Sequence, residues 1–143
     1  MTEELSAQAI YQLGKEIEPF AIASGTRMGH VHLSVKNSRE SSVFYQESLN
    51  LEDKFTIPHA SWIASGDYHH HLAVNGWGGK NSAPREQGMP GLAYYVVEVE
   101  NKEELLRLFS LSQGSKAITH WLSSAEFSMT DKDGVVTRVR VGN

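Results

Sequence analysis

The chain contains no cysteine, which removes disulfides, thiolate metal sites and cysteine nucleophiles from consideration. It also lacks any block of positive charge. Its 13 Lys and Arg stand against 17 Asp and Glu, for a net charge of −4, so the electrostatic footprint of a nucleic-acid binder is missing. No apolar run approaches the ~20 residues that cross a bilayer. The start, MTEELSAQAIYQLGKEIEPF, puts acidic residues where a secretion signal has basic ones. No GxxxxGK, GxGxxG or GxSxG motif occurs, so phosphate-cradling loops and a nucleophile elbow are not indicated. The expectation is a cytoplasmic protein with neither nucleic acid nor membrane as partner.

What is present suits a single domain with a genuine core, since 143 residues with 40% apolar and 21% charged side chains are ordinary globular values. Residues Glu3 to Glu18 space Leu5, Ala9, Ile10, Leu13 and Ile17 at helical intervals, and Pro19 ends that pattern. Residues Ile22 to Arg27 read as a linker, which makes 1–26 an appended helix and tether. From His30 to Val35 the pattern alternates strictly, with Val31, Leu33 and Val35 on one face and His30, His32 and Ser34 on the other.

Asn37 or Ser38 can cap a helix whose apolar stripe is Val43, Phe44 and Leu49. Three strand candidates follow: LEDKFTI, SWIAS and YHHHLAVN, the last two joined by SGD as a tight antiparallel hairpin. A loop rich in Gly and Pro covers 77–90. The order then repeats. GLAYYVVEV is a strand, Asn101 caps a helix with Glu104 at the capping-box position, and Leu105, Leu106, Leu108 and Phe109 face inward. SKAITHWL, EFSMT and VVTRVRV complete the set, the last following the turn DKDG.

Strand, helix and three strands, twice over, form an internal repeat of order. It predicts an α+β fold of paired βαβββ modules, module one at 27–76 and module two at 91–143. Each helix covers one sheet face, so the opposite faces are left to line a shared, cup-shaped cleft. Alternation in HHHLAVN sends Leu72 and Val74 to the core and His69, His71, Ala73 and Asn75 to the cleft, opposite His30 and His32. Imidazoles from separate strands are how sheets build sites for divalent metals. A lone histidine on an open strand face is more often merely solvated or hydrogen-bonded, but two strands each presenting a pair favour a site; His59 and His120 are read as surface or packing residues. Trp62, Tyr68, Trp77, Tyr94 and Tyr95 either pack as core or line a pocket for a planar ligand.

Four segments carry a family likeness: GTRMGHVHLSV (25–35), FYQESLNLE (44–52), GDYHHHLAVNGW (66–77) and PGLAYYVVEV (90–99). On these the sequence resembles the vicinal oxygen chelate superfamily of glyoxalases, bleomycin- and fosfomycin-resistance proteins and extradiol dioxygenases. It is most similar to the C-terminal half of two-domain bacterial catechol-2,3-dioxygenase-like proteins, whose interdomain tether residues 1–24 resemble. The chain is accordingly expected to be a fragment or a shortened relative.

The resemblance implies two βαβββ modules forming a cup that holds a divalent metal (Fe, Mn, Ni or Zn). By position His30 matches the first-strand histidine ligand. His71 falls where glyoxalases place a carboxylate, and His70 falls nearest the acid/base histidine of extradiol dioxygenases. The two alignments differ by one residue and are compatible only across a bulge. Alternation favours His71, so the expected ligands are His30 and His71. His69, His70 and Tyr94 are the candidate catalytic groups, and His32, Trp77 and Arg138 the candidate substrate contacts.

Module two departs from the family pattern. Tyr94 stands where a histidine is expected and Arg138 near where a glutamate is expected, so the full two-histidine, one-carboxylate iron set is absent. Glu98 is about 13 Å along the strand from Tyr94, too far to substitute. Either an off-centre metal sits on the histidines, or Arg138 or Arg140 pairs with an anionic ligand. The competing functions are an active dioxygenase or lyase, bleomycin-resistance-like sequestration of an aromatic small molecule, and a structural half-domain. Exposed sheet edges predict a homodimer.

Overall fold

The computed structural model describes residues 6–14, 21–78 and 88–142. Within the helix expected at Glu3–Glu18, α1 covers Ala7–Leu13, capped by the Ser6 hydroxyl, which accepts the Ala9 N–H. The remainder of that expectation, like most of the loop at 77–90, lies outside the described residues. Helix α1 buries nothing, and Tyr11 and Leu13 are fully exposed to solvent.

Module one runs β1 (Val31–Ser34), α2 (Ser38–Leu49), β2 (Glu52–Ile57), β3 (Ala60–Ala64) and β4 (Leu72–Asn75). Module two runs β5 (Tyr95–Val99), α3 (Lys102–Gly114), β6 (Ile118–Ser123), β7 (Glu126–Thr130) and β8 (Val136–Val141). Each module makes a four-stranded sheet of one topology, β1-β4-β3-β2 and β5-β8-β7-β6, in which the first strand lies parallel to the last. The α+β arrangement of paired βαβββ units expected from the repeat is what the chain forms.

Local chemistry sets the element ends. Asn37 accepts the N–H groups of Arg39 and Glu40, and Asn50, at φ 53°, closes α2 in the left-handed conformation that asparagine tolerates. Asn101 caps α3 through the Glu104 N–H. The reciprocal half of the expected capping box does not form, because the Glu104 carboxylate is taken by Arg107 at 2.6 and 2.8 Å. In the turn before β8, Gly134 supplies φ 80° and Asp131 accepts the N–H groups of Asp133 and Val135.

One core runs through both modules: Leu33, Tyr45, Leu49, Ile63, Leu72 and Val74 from the first, with Tyr95, Leu105, Leu108, Phe127, Met129 and Val139 from the second. Each full burial of such a side chain contributes roughly 1.5–3 kcal/mol. The expected stripes need correcting. Val43 and Leu106 are about half exposed. The buried face of α2 is instead Tyr45 and Leu49 with Ser38, Ser41, Ser42 and Ser48. These small side chains let α2 approach α3 closely, and Ser112 donates to the carbonyls of Leu108 and Ser48 at the contact. Between the modules the Tyr45 hydroxyl donates to buried Asp131 at 2.7 Å.

Candidate metal centre and groove

The hairpin expected through SGD is not tight. Strand β3 pairs antiparallel with β4 from Ala60↔Asn75 to Ile63↔Leu72, so residues 65–71 form a turn-and-bend connection and only Leu72 onward is strand. His71 still continues the ladder, its N–H donating to the Ile63 carbonyl at 2.9 Å and its carbonyl accepting the Val31 N–H at 3.0 Å. His69 and His70 lie in the bend, where strand parity does not govern side-chain direction.

That bend folds His70 back over β1. The Nε2 atoms of His32 and His70 are 3.0 Å apart, one donating and the other accepting. Rings of His30 and His70 are 4.4 Å apart, and those of His30 and His32 5.1 Å. Among the described residues, His30, His32 and His70 form a group that each offers a ligand atom within 4.8 Å of the others. Alternation placed His30 and His32 on one face correctly, but it paired them with His71, whereas His70 is the residue that meets them. The register explains the room. Ala73 on β4 stands beside His32 on β1, and a methyl group there leaves space for a ring above.

Burial lowers the His70 pKa to about 4, assisted by His30, His69, His32 and His71 around it. Burial, then His30, likewise lowers that of His32. Neutral imidazoles are the form that ligates a cation. Three of them from two segments of chain fit a divalent metal in donor type and number, as the open three-histidine sites of zinc enzymes do. Among the described residues no carboxylate belongs to the group.

His71 is placed differently. Its Nδ1 accepts the Ser65 N–H at 3.2 Å and its ring lies 4.7 Å from that of Tyr68. That fixes the neutral tautomer, with Nε2 as donor. Burial, then His69, lowers its pKa. His69 is exposed, its ring 4.5 Å from His70 and 4.4 Å from Tyr68.

A groove of about 1240 Å³ separates the edge strands β1 and β5. Residues Gly25 to Val31 form one wall, Leu92 and Tyr94 to Val99 the other, with Leu49, Leu51 and Leu108 at its base. His30 and His71 both line it, as do Tyr94 and Arg140. Trp77 is exposed, its N–H on the Asn75 side chain, and Trp62 packs on Phe55. Of the aromatics expected in a pocket, Tyr94 and Tyr95 reach this groove, and Tyr95 is buried beneath it.

In module two the Arg138 guanidinium lies 3.8 Å over the Tyr94 ring and 3.7 Å from Glu126. Glu98 accepts from Arg140 at 2.7 Å and from Arg27 at 3.2 Å, which keeps its carboxyl below the ordinary range. Arg138 and Arg140 lie on β8, an interior strand, and not on a sheet edge. The Arg27–Glu98 pair and the groove base were not anticipated; they join segments 71 residues apart, and no local pattern announces such a contact.

No family model matches the chain. A catechol-2,3-dioxygenase of Bacillus subtilis (strain 168) is 33% identical over 87 residues, 59% of this chain and 30% of that protein, so the chain spans under a third of its relative. Among solved structures, a glyoxylase/bleomycin resistance protein/dioxygenase domain from Frankia sp. EAN1pec matches with TM-score 0.63 and 18% identity, covering 84% of this chain and 100% of that one. A lactoylglutathione lyase from Agrobacterium tumefaciens matches with TM-score 0.60 and 13% identity, over 84% and 96%. A fosfomycin resistance protein from Listeria monocytogenes matches with TM-score 0.61 and 11% identity, over 82% and 94%. At such identities the structural likeness is one of fold. Those structures show that the chain has the glyoxalase/bleomycin resistance/dioxygenase fold, and over 87 residues its sequence is similar to that of a catechol-2,3-dioxygenase.

Proposed function

We propose that the chain is a metal-dependent small-molecule site: His30, His32 and His70 hold a divalent cation, and the groove between β1 and β5 takes the organic ligand. The observation that carries this reading is the convergence of three imidazoles within 4.8 Å. When bound, the cation supplies Lewis acidity to ligand oxygens. His30 belongs to both cluster and groove, so a ligand in the groove approaches the cation from that side. His71, its Nδ1 occupied by the Ser65 N–H, presents Nε2–H as a fixed donor toward the ligand. His69, exposed beside the cluster, is the group suited to exchange a proton with solvent. Tyr94, held flat under Arg138, offers an aromatic wall, and Arg138 takes a positioning role through it. Self-association as a homodimer belongs to the same reading, because exposed Phe55, Ile118, Trp121 and Leu122 line the outer edge strands.

Likeness to a catechol-2,3-dioxygenase supports ring-cleaving oxygen chemistry as the reaction. Oxygen uptake with catechol and added Fe(II) tests it, and activity lost in His30→Ala and His70→Ala variants is the expected result. A second reading, sequestration of an aromatic molecule without turnover, is favoured by the missing carboxylate and by Arg138 at the family's carboxylate position. Tryptophan-fluorescence titration with planar aromatics, showing saturable binding but no oxygen uptake, would establish it in place of the first. Absence of bound metal, oxygen uptake and aromatic binding together would remove both.

A further inference from the structure

We infer that the histidine cluster, whose donors among the described residues are all module-one nitrogens, selects borderline cations of the zinc, nickel and cobalt class over manganese, magnesium and calcium. The inference deepens the metal reading above and rests on it.

Every donor in the group is an imidazole: His30 and His32 from the β1 segment, His70 from the bend before β4. Imidazole suits zinc, nickel, copper and iron, whereas magnesium, calcium and manganese are held by carboxylate, carbonyl and water oxygens. A carboxylate in the set would soften that discrimination, and the second module supplies none. Its acids on the open sheet face are committed elsewhere, Glu98 to Arg27 and Arg140, and Glu126 toward Arg138. The relevant second-module side chains at the groove are thus a cation over an aromatic ring and a carboxylate between two guanidiniums. Neither adds a ligand.

The donor set has a charge consequence. Three neutral ligands leave the full +2 of the cation uncompensated, where a two-histidine, one-carboxylate set leaves +1. An anionic oxygen ligand entering past His30 therefore meets a stronger field here than at a carboxylate-bearing site. The occupant expected on the open positions is a small carboxylate or another oxyanion.

The test uses the untagged chain, stripped with a chelator, and isothermal titration with Zn(II), Ni(II), Co(II), Mn(II) and Mg(II) separately. Zn(II) binding at one per chain, at least about 100-fold tighter than Mn(II) or Mg(II), is expected. His32→Ala and His70→Ala should each weaken Zn(II) by more than the 10- to 100-fold that losing an outer-shell contact costs, about 100-fold or more. His120→Ala and Arg138→Ala should leave it within about twofold, as sites without shared partners do. Circular dichroism of each apo variant checks that the fold is kept. In the Co(II)-loaded protein, oxalate should shift the visible d–d absorption, and the same addition to Co(II)-treated His70→Ala should not.

Mn(II) binding as tightly as Zn(II), through the same histidines, would overturn this inference and leave the metal reading intact. So would Zn(II) affinity that falls with Arg138→Ala. No cation bound at all would overturn both.

Discussion

The two modules share one topology and differ in what their open faces carry. Aligned through their parallel strand pairs, His30 corresponds to Tyr94, His32 to Val96, Ala73 to Arg138 and Asn75 to Arg140. In module one small residues on the last strand leave space, and a histidine from the neighbouring bend fills it. In module two long arginines occupy the same positions, and an aromatic ring and two glutamates absorb their charge. The same scaffold thus produces a histidine cluster in one half and a closed ion-pair surface in the other. The difference lies in the last-strand side chain beside each first-strand residue, Ala73 next to His32 and Arg138 next to Val96.

The most severe way to separate the modules is to hollow each core in turn. Phe127→Ala and Ile63→Ala are expected to cost about 3–5 and 2–5 kcal/mol respectively. Because the core is continuous, each should lower a single unfolding transition in urea. Two transitions, one unaffected, would mean that the halves are energetically independent.

The repeat itself was legible in the sequence because hydrophobic alternation and capping residues are local signals. Asn37, Asn101 and Gly134 each sit where their conformational preferences place them. What escaped was set by distance or by irregular backbone. The buried face of α2 is made largely of serines, which an apolar stripe cannot reveal; Ser48 lies against Ser112 of α3, and the Ser41 hydroxyl donates to Asp133. His70 was misplaced because alternation was extended past the point where the strand begins. His30 and His32, within or beside β1, were placed correctly because there the rule applies.

Exchanging the decisive residue sharpens the comparison. Ala73→Arg transplants the module-two side chain into module one. Overpacking at this buried position is expected to cost about 1–3 kcal/mol, and the guanidinium should displace His70 and abolish high-affinity Zn(II) binding. Retained binding in a folded variant would show that space over β1 does not govern the cluster.

A smaller effect concerns the tie between the halves. Asp131 is buried, and that burial raises its pKa although Tyr45, Val135 and Asp133 donate to it. A carboxyl raised in the fold favours folding at low pH and loses that contribution as pH climbs through its folded value. Asp131→Asn keeps an acceptor for both backbone N–H groups and can reverse the Tyr45 bond, so about 1 kcal/mol is expected at neutral pH. Wild type should lose stability relative to this variant as pH rises from 3 toward 6, measured by paired urea midpoints (the unfolded carboxyl titrates at about 3.9). Parallel curves would remove Asp131 as the titrating group.

The smallest change is expected for Glu98→Gln. Its side chain is about one-third exposed between the more exposed Arg27 and Arg140, and such surface pairs are screened. The urea midpoint should match wild type within error, although the wall of the groove at Arg27 loses its charge-assisted tie. A large drop would mean that the ion-pair surface of module two is a structural element of the fold.

The seven-residue passage between β3 and β4 has a consequence for how such a centre can be retuned. Within a strand, inserting one amino acid turns every later side chain over and inverts the sheet. A bend holds no such parity, so lengthening or shortening it by a residue can exchange which imidazole is delivered while Leu72 and Val74 stay in register. The choice of histidine presented over β1 is thereby uncoupled from the integrity of the framework.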